Sequence, residues 1–255
     1  MNNFVFWCGV QGNNDVKEKY RYGDFLWMEY SKKTWEYWCK KNSVTFIHYD
    51  KTSMDNQLKY KINWQRWFDI EHYISDFDQI LLVDASIMVK WDAPNFFNES
   101  DNKWCGLIGN ENLKWLYESI NGYKPLFKDY NFDYSHHLLA GFTLFNKSHL
   151  PFLNKFKQFY FENHETILNL EDRVIKRGRD QPILNYFLQM NNIDVKTFPI
   201  NYGANHMYRR NILGGNPPLF TKYFNTWIFS GFPDRGDSRT QLMEKTWEFV
   251  KSHYE

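Results

Sequence analysis

The chain has 255 residues, a formal net charge of +1 and a pI near 7.7. This near neutrality removes the electrostatic reason to expect a nucleic acid or an acidic membrane as a partner, and we expect neither. No apolar run approaches the roughly 18 residues that a membrane-spanning helix needs, so we also expect no membrane span.

Strands and helices alternate through the first half of the sequence. This order predicts right-handed βαβ units and a mostly parallel sheet covered by helices on both faces. Since no internal repeat or linker interrupts the pattern, we expect one α/β domain over residues 1–255. The predicted elements are a strand at 4–10, a helix through Trp27 and Trp38, a strand at 44–49, a helix at 62–74 and a strand at 79–83.

The second half changes character, with a long polar and aromatic stretch at 121–137 that we interpret as a loop. Asp180 and Pro182 are suited to the N-cap and the first turn of a helix. The other elements predicted here are strands at 103–109 and 138–145, a helix at 149–165, a strand at 195–200, a last strand near 227–232 and a helix from 238.

Asp84 ends the apolar strand QILLV, and Ser86 follows two residues later. Both side chains can therefore point the same way from the carboxyl end of a strand, where open α/β sheets bind their ligands. Two oxygen groups at this spacing suit Mg²⁺ or Mn²⁺ holding phosphate oxygens. The alternative is that Asp84 only caps the turn that follows the strand.

Four stretches resemble, in the right order, motifs of glycosyltransferase family 8, the GT-A-fold family of the glycogenin and lipopolysaccharide galactosyltransferase type. FDQILLVDASIMVKWDAPNFF is similar to the segment that carries the Asp-x-Asp motif. LLAGFTLFNK resembles the Asn-Ala-Gly strand under the donor sugar, and RDQPILNYFLQ the Asp-Gln-Asp helix start. WIFSGFPDR stands where the family has a late His-x-x-Gly-x-x-Lys stretch. These stretches begin at residues 77, 138, 179 and 227.

The resemblance implies a GT-A-like, Rossmann-like fold and a hexosyltransferase. The donor would be a nucleotide-diphosphate sugar, by expectation a UDP-hexose, and the acceptor a hydroxyl group of a glycan or another molecule. Transfer would proceed with retention of the anomeric configuration. Residues 1–110 would form the nucleotide-binding half of the domain and residues 111–255 the acceptor-binding half.

By the same resemblance, Asp84 and Ser86 would bind Mn²⁺ or Mg²⁺, with Ser86 at the position of the family's second aspartate. Ile228 falls where a histidine ligand is expected. Two ways of completing the site remain open. The first is a nitrogen ligand from His206 or from the pair His136 and His137. The second is neutralisation of the diphosphate by guanidinium groups without a metal, for which the candidates are Arg209, Arg210 and Arg235.

The resemblance also implies roles for residues around the donor. Asp180 and Gln181 would lie on the reactive side of the anomeric carbon, where a carboxylate stabilises an oxocarbenium-like transition state. Tyr20 or Tyr22 would stack on the base. The remaining donor contacts would be Cys8, Gly9 and Val10 at the base, Arg66, Ala85 beside the metal ligands, and Ala140 with Gly141 under the sugar.

Aromatic residues make up 20% of the chain, and Trp91, Trp115 and Trp227 are candidate platforms for an acceptor sugar.

Two functions other than sugar transfer are also considered. A sugar-nucleotide pyrophosphorylase would need a basic residue in the loop CGVQGNND, which has none. A catalytically degenerate carbohydrate-binding protein is favoured by Ser86 and by the missing histidine.

Cys8, Cys39 and Cys105 have no CxxC spacing, which is typical of free thiols in the cytoplasm.

Overall fold

The structure is a computed structural model that describes residues 1–10, 25–51, 61–109, 113–128, 130–204, 218–230 and 238–255. Over these ranges the chain forms seven α-helices and nine β-strands. The helices are α1 (Leu26–Asn42), α2 (Ile62–Tyr73), α3 (Leu113–Tyr123), α4 (Leu150–Asn169), α5 (Asp180–Met190), α6 (Phe220–Tyr223) and α7 (Ser238–Val250). The strands are β1 (Asn3–Cys8), β2 (Thr45–Tyr49), β3 (Gln79–Asp84), β4 (Ile87–Val89), β5 (Trp104–Ile108), β6 (Leu138–Asn146), β7 (Val195–Thr197), β8 (Gly203–Ala204) and β9 (Thr226–Ile228).

Six strands form the main sheet in the order β2-β1-β3-β6-β5-β7. β1 pairs with β2 in parallel and β5 with β7 in parallel, whereas β5 and β6 are antiparallel. The prediction of a mixed, mostly parallel sheet flanked by helices is therefore confirmed.

β3 is the buried strand that its sequence predicts. Ile80, Leu81, Leu82 and Val83 are each fully buried, so both faces of the strand are covered. Burial relaxes only at its last residue, Asp84, which is half-buried. This position at the carboxyl end of the strand is where an α/β sheet presents its ligand-binding groups.

A second, smaller sheet has the order β4-β9-β8. β4 and β9 are antiparallel, with Ile87 opposite Ile228, and β9 is parallel to β8. β4 begins directly after the Asp84–Ser86 segment. Hydrogen bonds of this small sheet therefore fix the chain just beyond the candidate ligands.

The chain divides into two compact units, and neither is a continuous stretch of sequence. Unit 1 comprises Thr52–Leu81 and Ser100–Phe198, together with Met1. Unit 2 comprises Asn2–Lys51, Leu82–Glu99 and Pro199–Glu255.

The structure differs from the predicted elements at α3 and at the start of α5, among other places. α3 was not predicted, and it takes in the first three residues of the predicted loop 121–137. Asp180 is the first residue of α5 and not its N-cap, because Arg179 holds the N-cap position with no side-chain hydrogen bond to the helix. The Asp180 carboxylate instead forms an ion pair with Arg66.

In the part of the chain that the structure describes, no helix is both long enough and apolar enough to span a bilayer.

Candidate functional site

Within unit 2, the segment Asp84–Ser86 is tied to two neighbouring strands by its backbone. The Ala85 amide donates a hydrogen bond to the Cys8 carbonyl over 3.2 Å, and the Phe229 amide donates to the Ser86 carbonyl over 2.9 Å. The predicted base contact Cys8 therefore lies beside the predicted metal ligands. Asp84 is half-buried, while Ser86 is buried.

Polar side chains of α1 form hydrogen bonds with the backbone of β4, directly after the candidate ligands. The carbonyl of Ile87 accepts hydrogen bonds from Ser31 Oγ at 2.5 Å and from Trp35 Nε1 at 2.8 Å. The Val89 amide donates to Thr34 Oγ1 over 3.2 Å. Since all these groups are fully buried, the backbone that follows Ser86 is anchored in one position.

Residue 9 must be a glycine, because the ring of Trp7 occupies the space that a side chain would need. A Cβ atom at this position would lie 1.9 Å from a ring carbon of Trp7, and the Trp7 indole is itself fixed by a 3.0 Å hydrogen bond from Nε1 to Ser31 Oγ. The Gly9 amide donates to the Tyr49 carbonyl. The predicted strand 4–10 ends at Cys8, so Gly9 and Val10 follow the strand, and the close approach that the glycine permits is that of Trp7.

The residue at the position predicted for a third metal ligand, Ile228, lies beside the segment that carries the candidate ligands Asp84 and Ser86. Ile228 is the partner of Ile87 in the small sheet and is 3% exposed. Its apolar side chain cannot bind a cation. Among the described residues, no three His, Cys, Asp or Glu side chains converge on a common point. In those residues the strand end thus supplies one carboxylate and one hydroxyl group.

Unit 1 contains the second group of predicted residues, around a buried ion pair. Asp180 Oδ2 accepts hydrogen bonds from Arg66 Nη2 at 2.6 Å and from Trp67 Nε1 at 2.9 Å. The Arg66 and Asp180 side chains are each only 4% exposed. Because both charges are removed from water, each depends on the other. Sequence reasoning named Arg66 and Asp180 but missed their pairing and the role of Trp67.

Two amide side chains join α5 to β6. Gln181 Oε1 accepts a hydrogen bond from the Ala140 amide at 3.1 Å. One turn later, Asn185 Oδ1 accepts from the Leu138 amide at 2.7 Å, and its Nδ2 donates to the Leu138 carbonyl at 2.9 Å. Ala140 is buried and its neighbour Gly141 half-buried. The structure therefore brings three predicted residues, Gln181, Ala140 and Gly141, together.

A third feature of unit 1, which the sequence did not indicate, is the buried carboxylate of Glu171. It belongs to a π-helical segment, Leu170–Val174, that follows α4. Its Oε1 accepts a 2.7 Å hydrogen bond from Trp64 Nε1, and Lys61 Nζ lies 3.5 Å from Oε2. Burial raises the pKa of the Glu171 carboxyl group, and the hydrogen bond from Trp64 opposes this shift.

The two adjacent histidines have unlike surroundings. His137 is fully buried, and burial lowers its pKa to about 4. Its ring packs against Gly109, where a Cβ atom would lie 2.6 Å from Nδ1. His136 is exposed, and its Nδ1 lies 2.6 Å from Asp133 Oδ2. The His136 ring thus pairs with Asp133, whereas both ring nitrogens of His137 are buried without a hydrogen-bond partner among the described residues. The described residues complete no metal site around either ring.

The three candidate tryptophan platforms differ in their exposure. Trp227 is fully buried, so its prediction as a sugar platform was wrong. Trp91 stacks on His253 with ring centroids 3.8 Å apart and an interplanar angle of 11°. Trp115 lines an open cleft of about 510 Å³ in unit 1.

Several predicted residues lie outside the described ranges. They are the base-stacking candidates Tyr20 and Tyr22, the possible metal ligand His206, and the guanidinium candidates Arg209, Arg210 and Arg235.

The fold is that of known glycosyltransferases. A glycosyltransferase involved in glycosylation of the major capsid of PBCV-1 aligns with a TM-score of 0.54 and 10% identity over 96% of this chain and 99% of that one. The galactosyltransferase LgtC, in complex with donor and acceptor sugar analogs, aligns with a TM-score of 0.52 and 15% identity over 98% of this chain and 95% of that one. The bifunctional glycosyltransferase WbbM aligns with a TM-score of 0.50 and 10% identity, covering 97% of this chain and 49% of that one.

No family model matches the chain, and no curated protein matches it in sequence. The likeness is therefore one of structure at low identity, and it shows the fold. The predicted GT-A-like fold, of the kind found in glycosyltransferase family 8, is confirmed.

Proposed function

We propose that this protein is a glycosyltransferase that moves a hexose from a UDP-sugar to a hydroxyl group of a glycan, with retention of the anomeric configuration. The observation that carries the proposal is the structural likeness to glycosyltransferases over 96% and 98% of the chain. One of these relatives was solved with analogs of both donor and acceptor. Fold alone does not define chemistry, so the site residues bear the rest of the argument.

The donor diphosphate is proposed to lie at the carboxyl end of β3. Asp84 and Ser86 offer a carboxylate and a hydroxyl group at a position that the α1 contacts hold rigid. Mg²⁺ and Mn²⁺ fit such a partial set, because Mg²⁺ is commonly held by one or two carboxylates plus phosphate oxygens and water. When bound, such a cation would neutralise charge on the diphosphate. Cys8, Gly9, Val10 and Ala85, which adjoin this strand end, are proposed to contact the nucleotide.

The donor sugar is proposed to contact the group around Arg66 and Asp180, with Ala140 and Gly141 beneath it. Gln181 Nε2 is buried and has no hydrogen-bond partner among the described residues, so a polar group of the sugar would satisfy it. The Asp180 carboxylate already accepts two hydrogen bonds. It is therefore proposed to act through its charge, which stabilises positive charge developing at the anomeric carbon.

In the proposed reaction, the acceptor oxygen forms a bond to the anomeric carbon on the same face from which the diphosphate oxygen departs, so the configuration is retained. The nucleoside diphosphate leaves with the bonding electron pair and takes up the proton of the acceptor hydroxyl. Residues 1–110 are proposed to serve mainly the nucleotide, and residues 111–255 mainly the acceptor.

A reducing compartment, the cytoplasm, is the proposed location. None of the three cysteines forms a disulfide among the described residues, and Cys39 and Cys105 are buried. Burial raises the pKa of the Cys105 thiol to about 12, so it stays protonated and unreactive. Cysteines that form no disulfide are typical of proteins that are not exposed to oxidising conditions.

Thermal unfolding with UDP, GDP and dTDP, each with and without Mn²⁺, tests the donor site. A nucleotide that binds the folded state raises its stability by RT ln(1 + [L]/Kd), about 2.7 kcal/mol at a ligand concentration of 100 Kd. We expect UDP to give the largest shift and Mn²⁺ to increase it. Hydrolysis of UDP-hexoses without acceptor then reports turnover. A protein that responds to none of the nucleotides would not be a transferase of this type.

A second candidate function is a carbohydrate-binding protein that has lost catalysis. Ser86 in place of a second carboxylate and the apolar Ile228 in the small sheet favour it. The same measurements separate the two functions. Stabilisation by UDP without any donor hydrolysis or transfer would favour the degenerate protein.

A further inference from the structure

An open cleft of about 510 Å³ lies in unit 1, lined by residues from two segments of the chain. Lys114 and Trp115 come from the first turn of α3, and Glu118 follows one turn later. Lys176 and Arg177 come from the loop between the π-helical segment and α5. None of the contacts assigned above to the donor sugar or the diphosphate involves these five residues.

The two walls of the cleft are locked together by close packing. A Cβ atom at Gly122 of α3 would lie 2.6 Å from Ile175, and one at Gly178 would lie 3.1 Å from Ser119. Tyr123 Oη donates a 3.1 Å hydrogen bond to the Arg177 carbonyl. Because these approaches leave no slack, the side chains that line the cleft project from a fixed frame.

The loop that forms one wall of the cleft has an unusual backbone conformation. Lys176, Gly178 and Arg179 have φ values of 57°, 84° and 51°, and two of them carry side chains that disfavour this region. Strain of this kind destabilises the folded state and concentrates at ligand-binding sites. The preceding π-helical turn Leu170–Val174 is a second such feature, since π-bulges are frequent at functional sites.

The charges of the cleft are mostly positive. Lys114, Lys176 and Arg177 face a single carboxylate, Glu118, which lies within ion-pair distance of Arg177 and 3.8 Å from Lys114. Beside them lies the indole of Trp115, a surface on which a pyranose ring can pack. Cations together with an aromatic face suit a ligand that is both a sugar and an anion.

We propose that this cleft binds a saccharide carrying a phosphate or a carboxylate group. Trp115 would pack against the sugar ring, and Lys114 and Lys176 would attract the anionic substituent. Arg177 would act mainly in the frame, since its guanidinium group pairs with Glu118 and its carbonyl binds Tyr123. That this saccharide is part of the acceptor rests on the proposed function. Its binding to the cleft does not.

Indole N–H resonances in ¹H–¹⁵N NMR spectra of the full chain provide the test. The chain has 11 tryptophans, and the spectrum of Trp115→Phe identifies the Trp115 signal. We expect this signal to shift on titration with glucose 6-phosphate or glucuronate, and whichever shifts it at lower concentration distinguishes phosphate from carboxylate. Glucose and inorganic phosphate alone should each bind at least about fivefold more weakly, because each offers only half of the recognised chemistry.

Variants locate the binding and set its controls. Lys114→Gln and Lys176→Gln should each weaken binding of the anionic sugar by about two- to fivefold, and raising the salt concentration to about 1 M should weaken it as well. Lys155→Gln, an exposed lysine on α4, should leave binding unchanged. Asp84→Ala should also leave it unchanged, so a failed donor site and a failed cleft are distinguishable.

Three results would overturn the proposal. They are the absence of any Trp115 shift with either anionic sugar, equal affinity for glucose or for inorganic phosphate, and equal weakening by Lys155→Gln and Lys176→Gln.

Discussion

At the scale of single residues, the buried pair of Arg66 and Asp180 makes the loss of either partner costly. Both side chains are 4% exposed, and the Asp180 carboxylate also accepts a hydrogen bond from Trp67. A buried pair contributes little relative to an apolar replacement of both partners, but the loss of one partner strands the other charge. The pair therefore makes the wall of the proposed sugar site intolerant of single changes.

Asp180→Ala should lower the free energy of unfolding by about 3–5 kcal/mol, because it leaves the Arg66 guanidinium group buried without a counter-charge. The double variant Arg66→Met/Asp180→Leu should recover part of this loss, because it removes both charges but still leaves the buried Trp67 indole N–H without its acceptor. Urea denaturation measures both. Asp76→Ala, which breaks an exposed pair with Lys147, is the matched control and should leave the stability close to that of the parent chain. A double variant as unstable as Asp180→Ala would contradict the argument.

His137 should make the protein sensitive to acid. Its folded-state pKa is about 4, below the ordinary value of 6.5, because burial disfavours the charged ring. Between about pH 6.5 and 4, the unfolded chain therefore binds a proton at His137 that the folded chain does not bind. The free energy of unfolding falls as the pH drops through this range. The full difference corresponds to about 3 kcal/mol.

Removing the titrating ring should remove that part of the pH dependence. The free energy of unfolding of His137→Leu, measured by urea denaturation at pH 7 and pH 4, should differ by up to about 3 kcal/mol less than that of the parent chain. His72→Leu, at an exposed position of α2, should keep the parent's dependence. Identical profiles for His137→Leu and the parent would show that another group causes the acid sensitivity.

Sequence reasoning named several residues of the candidate site but not their partners. Arg66 and Asp180 are 114 positions apart, so no local pattern could show that one neutralises the other. Likewise, nothing in the local sequence distinguishes Trp227 from a surface tryptophan, and its burial follows from its place in β9, the central strand of the small sheet. Residue type suggests chemistry, but tertiary contacts decide whether the group can meet a ligand.

At the scale of elements, the joint between α5 and β6 depends on side chains one helical turn apart. Gln181 and Asn185 occupy positions i and i+4, hence one face of the helix, and bond to the backbone of Ala140 and Leu138. The main-chain groups they satisfy are buried. This joint sets the distance between the start of α5, with Asp180, and the strand proposed to lie under the donor sugar.

Asn185→Leu should cost about 2–4 kcal/mol, because it strands both the amide and the carbonyl of Leu138 without a hydrogen-bond partner. Gln181→Leu strands one amide and should cost about half as much. Hydrogen exchange should also speed up at the Leu138 amide in the first variant and at the Ala140 amide in the second. Gln189→Ala on the same helix, which bonds to the exposed backbone of Asp133, serves as the control, with an expected change of at most about 0.5 kcal/mol. Equal costs at positions 185 and 189 would contradict this role.

Elements with clean patterns were predicted well, and those with mixed patterns were not. β3 has a continuous apolar run of the kind typical of a parallel strand covered on both faces. α3 was missed because its outer face holds Leu113 and Tyr117, which are 74% and 60% exposed. These two residues blur the apolar stripe of Leu116 and Ile120, so the helical period does not stand out.

At the scale of the whole molecule, the chain passes between the two compact units several times. The boundary between them falls inside β3, after Leu81. A sequence-based division into halves follows chain order, whereas compact units follow contacts between distant segments. The fold class was predictable because the βαβ alternation is a global pattern, but the course of these boundaries has no local signal.

The last prediction separates stability from donor binding. Asp84 is half-buried at a strand end, so Asp84→Ala should change the free energy of unfolding by no more than about 1 kcal/mol. It should nonetheless abolish the stabilisation by UDP with Mn²⁺ and lower UDP-hexose hydrolysis at least about 100-fold, since it removes the carboxylate that the described residues supply to the proposed site. Asp92→Ala, which removes an exposed partner of Lys90 in the same unit, should leave all three quantities unchanged. If Asp84→Ala instead keeps the full UDP-dependent shift and the parent rate, the diphosphate is held elsewhere. In that case the guanidinium groups of residues 209, 210 and 235 become the groups to substitute next.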